Sequence, residues 1–183
     1  MTREELFTVM REVVLKVTDV DVCILNAQRE TAPTGQYCSI EPFASLNQIG
    51  RGSTKNTEVA AVDGEDFYDV QEDLTVLIEA KVSVNFFRED ARMLAQKLMF
   101  CDQRSDIHEK LLINGLGWMR TDAVNNLTLL NGAIYEPRAQ INLYIQFEQT
   151  QSNTVQQIYN VDFELQNESG DIITTGNEII SNP

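Results

Sequence analysis

"GAIYEPRAQINLYIQFEQT", residues 132–150, decides the fold of this chain, because it contains the most regular pattern in the sequence. From position 139 to position 147 the odd residues are apolar and the even residues are mostly polar. This two-residue period predicts a strand with one buried face and one polar face. Pro137, between Glu136 and Arg138, indicates where that strand begins, since proline lacks the N–H that a central strand must donate.

Other parts of the chain predict further strands. Residues 74–86 alternate in the same way, which predicts a second long, half-buried strand. A strand is expected at about 36–48, and the polar stretch 50–58 is typical of a flexible loop or hairpin tip. Residues 118–132 predict one more strand. Residues 138–166 are expected to form a long antiparallel hairpin that turns at "TQSNT".

Three helices are expected. Thr2 and Glu5 have capping-box spacing, which predicts a helix over residues 3–17. A third helix is predicted at about 105–114, with Ser105 as its N-cap. The second helix follows the strand at 74–86 directly, because the apolar period changes there from two to about 3.6. Its apolar stripe consists of Ala91, Leu94, Ala95 and Leu98.

This order of elements predicts an α+β domain, with an antiparallel sheet that carries helices on one face. Residues 1–166 are expected to form a single domain. The tail, residues 167–183, is too short to build a core of its own, so it is either frayed or docked on another subunit as a C-terminal arm.

The composition excludes several classes of protein. The net charge of −14 over 183 residues argues against general nucleic-acid binding and against docking on an anionic membrane. Neither a signal peptide nor a membrane-spanning segment is recognisable. The three cysteines lack a C-x-x-C pair and are expected to be buried free thiols in a reducing compartment.

No catalytic, metal or cofactor site is expected. His108 is the single histidine, so the two-histidine zinc-protease motif cannot be built. A Ser-His-Asp triad would have to use His108, but no G-x-S-x-G elbow is present, and His108 is expected on a helix surface. The stretch "GRGSTK", residues 50–55, lacks P-loop spacing. The acidic stretch 63–73 lacks the glycine and glutamate positions of an EF-hand, which favours a solvated loop. Its acids include Asp63, Glu65, Asp66 and Asp69.

A resemblance to a known family rests on four stretches of the sequence. Gly35-Gln36-Tyr37 opens a strand, a long alternating strand runs into a helix over residues 77–98, and "LLINGLGW" follows at 111–118. The most specific piece is Tyr135-Glu136-x-Arg138-Ala139, which leads into the opening strand. Over residues 3–165 the chain resembles the neck or tail-terminator proteins of tailed bacteriophages. It departs from the family pattern at Cys38, where valine is usual, and in its acidic stretch 63–73.

The resemblance implies an α+β fold with a mixed, mainly antiparallel sheet, and a structural role in the virion without enzyme activity. Such a protein forms a ring, usually a hexamer, at the head-proximal end of the tail tube. Its expected partners are other copies of itself, the tail tube protein, the head-completion and connector proteins and, in contractile tails, the sheath. DNA would pass through the ring without specific binding, and assembly would take place in the host cytoplasm. The alternatives are a head-completion or stopper protein of the neck and a small cytoplasmic α+β enzyme or ligand-binding domain.

Two sets of residues are candidates for sites in such a ring. Glu136 and Arg138 are expected to make charge-assisted bonds that fix the start of the strand or meet an adjacent subunit. The alternative is an exposed ion pair that contributes little to stability. Candidates for subunit contacts are Arg51, Lys55, Glu136, Arg138 and Tyr144. Candidates for the rim or lining of the channel are Asp63, Glu65, Asp66 and Asp69.

Overall fold

The computed structural model describes residues 1–26, 32–60, 68–131, 134–155 and 160–179. Two compact units are present. The first unit comprises residues Met1–Arg51 and Val76–Gln149, and the second unit comprises Gly52–Thr75 and Thr150–Pro183.

Three α-helices and a short 3-10 helix are present in the described ranges, and the three predicted helices are confirmed. They are α1 at Arg3–Thr18, α2 at Ala91–Met99, a 3-10 helix at Cys101–Gln103 and α3 at Ser105–Ile113. The capping box of α1 is formed, since the Thr2 hydroxyl accepts from the Glu5 N–H at 3.2 Å and the Glu5 carboxylate accepts from the Thr2 N–H at 2.7 Å.

The start of α3 differs from its prediction. Ser105 is the first residue of the helix rather than its cap, and Arg104, which occupies the N-cap position, makes no side-chain cap. The Arg104 guanidinium instead bonds the Asp106 carboxylate through two nitrogens, at 2.8 and 3.0 Å. Asp106 then provides the negative charge that the N-terminal end of a helix dipole favours.

Ten strands are described, and the principal sheet is mixed and mainly antiparallel, as the fold prediction required. The strands are β1 Val22–Leu25, β2 Tyr37–Ala60, β3 Tyr68–Phe87, β4 Leu116–Thr121, β5 Asn125–Asn126, β6 Leu129–Asn131, β7 Ile134–Glu136, β8 Arg138–Val155, β9 Asn160–Gln166 and β10 Ile172–Ile179. The order in the principal sheet is β1-β2-β3-β8-β4, and β5 also pairs with β8. The β1–β2 pair is parallel, whereas β4 and β5 run antiparallel to β8.

The hydrophobic core lies in the first unit, and both alternating stretches contribute the face that the sequence predicts. Each large side chain in it that is fully buried stabilises the fold by about 1.5–3 kcal/mol. From β3 the core includes Ala80, Val82, Val84 and Phe86, and from β8 it includes Ala139, Ile141, Leu143, Ile145 and Phe147. From the helices it includes Leu6, Met10, Val13, Val14, Ala91, Leu94, Ala95, Leu98, Ile107 and Leu111.

Two strand predictions were wrong. Residues 50–58 lie inside β2 and not in a loop, and the predicted strand at 118–132 is divided among β4, β5 and β6. Serine, threonine and asparagine fill much of 50–58, and nearly all of its side chains are exposed. A strand that is solvated on both faces shows no apolar alternation, so periodicity could not reveal it.

The C-terminal region also differs from its prediction. The expected turn at 150–154 lies within β8, and the partner of β9 in the described part of the chain is β10. Residues 160–179 therefore form their own antiparallel hairpin, and most of the predicted arm belongs to it. Its turn is closed by Asn167, whose side-chain oxygen accepts from the N–H groups of Ser169 and Asp171 at 2.9 and 2.8 Å.

Candidate functional site

The described residues contain no cluster of three or more histidine, cysteine, aspartate or glutamate side chains that could hold a metal ion. His108 is exposed on α3, and its ring Nε2 contacts the backbone oxygen of Asp102. None of the helices in the described ranges combines the length and apolar character needed to cross a membrane.

Three of the four stretches that carried the family resemblance meet at Arg88, just after β3. The Arg88 N–H donates to the Pro137 carbonyl at 2.7 Å, and its Nη1 donates to the Gly35 carbonyl at 2.6 Å. Its Nε lies 3.8 Å from a carboxylate oxygen of Glu136. Arg88 adopts a left-handed backbone conformation, with φ at 70°. One side chain thus joins the segments before β2 and before β8, and we call this contact region the Arg88 corner.

Aromatic rings and cations alternate on the same corner. The rings of Tyr37 and Phe87 stack with centroids 4.5 Å apart and planes only 4° from parallel. The guanidinium of Arg138 lies 4.9 Å from the Phe87 ring centroid, and that of Arg88 lies 5.5 Å from the Tyr37 ring centroid. Burial raises the pKa of Tyr37 and so does Glu136, although Arg88 and Arg138 oppose the shift. The ring therefore stays neutral between its cations.

Arg138 and Glu136 both make contacts inside the subunit. Arg138 lies on the polar face of β8, as its parity predicts, and its Nη2 donates to the buried Asn85 side-chain oxygen at 3.1 Å. Its Nε is buried and has no hydrogen-bond partner among the described residues. Glu136 pairs with Arg88 rather than with Arg138. Both residues therefore anchor the start of β8 within the chain.

A strip of mutually bonded polar side chains continues along the same sheet face. Asp122, just after β4, accepts from the Asn142 amide at 3.0 Å and from the Tyr144 hydroxyl at 3.1 Å. These bonds, the Asn142 bond foremost, hold the pKa of Asp122 below its usual range, and the charges of Lys81 and Arg120 add to the effect. A further bond joins Gln140 to Ser83, at 2.8 Å.

Tyr144 is covered by its own chain. The Arg120 guanidinium lies 3.3 Å from the Tyr144 ring centroid and pairs with Glu79 at 3.7 Å and with Asp122 at 3.5 Å. Lys81 lies over the same ring at 6.0 Å. Arg120 and Lys81 therefore cover the ring within the chain, and the expected subunit contact of Tyr144 stays a prediction.

The remaining candidates are dispersed. Arg51 and Lys55 lie exposed on β2, and neither makes an ion pair with any described residue. Asp63, Glu65 and Asp66 lie outside the described residues. Asp69 corrects the prediction of a solvated loop, because it lies in β3 and is only 4% exposed.

Sequence reasoning missed the residues that hold the corner and the strip together. Arg88 stands where the two-residue period ends and the helical period begins, so the change of period marked its position but not its contacts. Asp122 and Arg120 follow no period, because β4 has a register irregularity between Trp118 and Arg120.

A mixed, mainly antiparallel sheet is backed by helices, and its polar side chains bond one another, which suits a structural subunit. A family model described as phage neck terminator protein matches residues 4–169. The chain therefore belongs to the phage neck terminator protein family, which confirms the resemblance. It has a structural role in the neck or tail of a phage virion and contacts other tail or head proteins. Among curated proteins, no sequence matches this one.

Proposed function

We propose that this chain forms a closed ring, a hexamer, on the head-proximal end of the tail. The ring stops polymerisation of the tube, and of the sheath if the tail is contractile, and joins the tail to the head-completion proteins of the connector. Copies of the chain assemble in the host cytoplasm. In this proposal residues 1–166 work as one domain, and residues 167–183 extend its contact surface to neighbours.

The observation that carries the proposal is that no hydrophobic side chain described in the second unit is buried. Every buried hydrophobic residue in the described part of the chain lies between positions 6 and 147 and belongs to the first unit. Among the described side chains of the second unit, Asp69 is the one that is buried. Strands with two solvated faces are marginal by themselves, so contacts with neighbouring copies would stabilise them. A contact between two different surface patches closes into a ring when its rotation closes.

The lumen of this ring is proposed to carry DNA without binding it. Six copies have a formal charge of about −84, which is six times the charge of −14 on one chain. We assign the rim to Asp63, Glu65 and Asp66, and we leave Asp69 out because it is buried. Arg51 and Lys55 remain proposed subunit contacts, since both are exposed.

The function is tested in phage that lack this gene. Loss of a terminator should give tails of uncontrolled length without attached heads, and supplying the chain in trans should restore a single length. The purified chain, imaged alone and on tail tubes, should show six-fold rings at one end of each tube. Tails of normal length that fail to join heads would indicate a stopper protein and would contradict termination.

A further inference from the structure

The β9–β10 hairpin presents an apolar face to solvent. Phe163 is 46% exposed and Leu165 is 54% exposed, and both lie on one face of β9 because they are two residues apart. Gly176 lies opposite Phe163 in the register, and the aromatic ring of Phe163 occupies the space that a side chain at position 176 would need. The Phe163 side chain thus lies across both strands of the hairpin and enlarges the apolar surface of the hairpin.

The same hairpin is strongly acidic. Residues 160–179 contain five acidic residues and no lysine or arginine: Asp162, Glu164, Glu168, Asp171 and Glu178. Glu168 and Asp171, in the turn that follows this pair, are exposed. A partner that covers Phe163 and Leu165 must therefore supply apolar area with cations at its border. We call Phe163, Leu165, Glu168 and Asp171 the hairpin face.

One described surface of the first unit has this character. On α2, Met93 is 49% exposed, and Phe100, which directly follows the helix, is 66% exposed. Lys97 lies between them on the same helix face, at a spacing of four and three residues, and Arg92 precedes Met93. Helix α2 itself contains these two cations and no acid. Neither cation is ion-paired with a described residue. We call Arg92, Met93, Lys97 and Phe100 the α2 patch.

A second exposed apolar surface in the first unit fits poorly. Leu112 and Ile113, at the end of α3, are each 77% exposed, and Leu112 lines an open groove of about 510 Å³. The charged side chains that line this groove are the carboxylates of Glu5 and Glu148. An acidic hairpin would be repelled there, so charge selects the α2 patch.

We propose that the hairpin face of one copy docks on the α2 patch of the next copy. The inference rests on the proposed ring and names the contact that builds it. The two patches differ in sign and belong to different elements, so the contact is head-to-tail and generates a closed ring or an open filament. A two-fold dimer through either patch would bring like charges together, which opposes that arrangement.

A charge swap tests the contact in the full-length chain, with mass photometry as the readout of assembly. Arg92→Glu with Lys97→Glu should raise the dissociation constant of assembly about 100-fold, because like charges across an interface cost several kcal/mol. Glu168→Lys with Asp171→Lys should raise it by a similar factor. The chain that carries all four substitutions should regain assembly to within about tenfold of wild type.

A matched control separates this contact from a simple effect of net charge. Glu4 and Glu109 are exposed on other helices, and their side chains take part in no ion pair of the described residues. Glu4→Lys with Glu109→Lys restores the same net charge to the Arg92→Glu, Lys97→Glu chain but should not restore assembly. Far-ultraviolet circular dichroism confirms that each variant is folded.

The outcomes distinguish the interface from the ring. If wild type assembles and the four-substitution chain stays as weak as the two-substitution chains, the proposed contact is wrong and the ring is unaffected. If the control pair restores assembly as well as the hairpin pair does, net charge and not this contact explains the rescue, and the contact is again wrong. A wild-type chain that stays monomeric at every concentration, alone and with tail tubes, overturns both proposals.

Discussion

At the scale of single residues, Arg88 and Arg138 show how the start of β8 is held. Both guanidinium groups lie on aromatic rings and also bond oxygens, one on a backbone carbonyl and one on a buried amide. A planar guanidinium can do both at once, which the ammonium of lysine does less well. The cluster Glu136-Pro137-Arg138 therefore positions a strand within its own subunit.

Replacing Arg138 should lower the stability of the fold. Arg138→Ala leaves the buried Asn85 side-chain oxygen without its donor and uncovers the Phe87 ring, so we expect a loss of about 1–3 kcal/mol in the free energy of unfolding. Urea denaturation measures this loss. Arg51→Ala, at an exposed position, serves as the control and should change stability by less than about 0.5 kcal/mol. Equal effects of the two substitutions would assign Arg138 no anchoring role.

Asp122 should make stability depend on acid pH. Its pKa is lower in the folded chain than the ordinary 3.8, so its contribution is present above pH 3.8 and is lost as pH falls through the lowered pKa. Asp122→Asn removes that part of the acid sensitivity while Asn142 and Tyr144 remain in place. Thermal melts from pH 6 to pH 2 should show a smaller fall in Tm for the variant. Parallel curves for the two proteins would contradict the assignment.

At the scale of elements, the hairpin β9–β10 combines a turn that is closed by hydrogen bonds with a sheet of only two strands. Asn167 closes the turn with two accepted hydrogen bonds, and Gly170, with φ at 86°, takes the left-handed position that glycine favours. Two strands alone are marginally stable, so Phe163 over Gly176 is an important cross-strand contact of the hairpin.

Adding a methyl group at position 176 should loosen this hairpin. In Gly176→Ala the new Cβ would lie 2.2 Å from the Phe163 ring, which must move away. Hydrogen exchange should then show faster opening of residues 160–179, by a factor of about ten, which corresponds to about 1.4 kcal/mol. Thr175→Ala on the opposite face is the control. In a chain that also carries Phe163→Ala, Gly176→Ala should have little further effect on hydrogen exchange. A full additive effect would show that the clash with the Phe163 side chain is not the cause.

Apolar periodicity predicted the strands and the core of the first unit but gave little information about the strands of the second unit. Residues 74–86 and 138–149 bury one face against helices, so their alternation marked both strand and core. Residues 50–58 and 150–155 lie in strands with exposed side chains, where no burial imposes a period. The sequence predicted that Glu136 and Arg138 fix the start of a strand. It could not name their partners, Arg88 and Asn85, because those contacts join positions about 50 residues apart.

At the scale of the whole molecule, the three cysteines report on the core of the first unit. All three are buried and reduced, and Cys23 lies beside Cys38 in the β1–β2 register. The hydrogen bond that Cys38 makes with Cys23, together with burial, raises the pKa of Cys38 far above that of a free thiol, and burial raises the pKa of Cys101 to about 12. The thiols of Cys38 and Cys101 are therefore both shielded and protonated at neutral pH.

Thiol labelling should then follow global unfolding. At pH 8 the native chain should react with a thiol reagent at least 100-fold more slowly than the denatured chain, in which all three thiols become reactive. Absorbance of the released chromophore counts the reacted groups. Rapid labelling of even one thiol in the native chain would show that this part of the core opens locally.

Under the proposed function, the exposed strands of the second unit would also affect how long a free copy survives in the infected cell. Backbone that is not tied to a buried core opens more readily and is the preferred substrate of proteases. Copies within a ring would be shielded by their neighbours, and surplus copies would be cleaved in residues 150–183 first. Assembly would then set the lifetime of each copy, so the host's own proteases would match the supply of terminator to the number of finished tails.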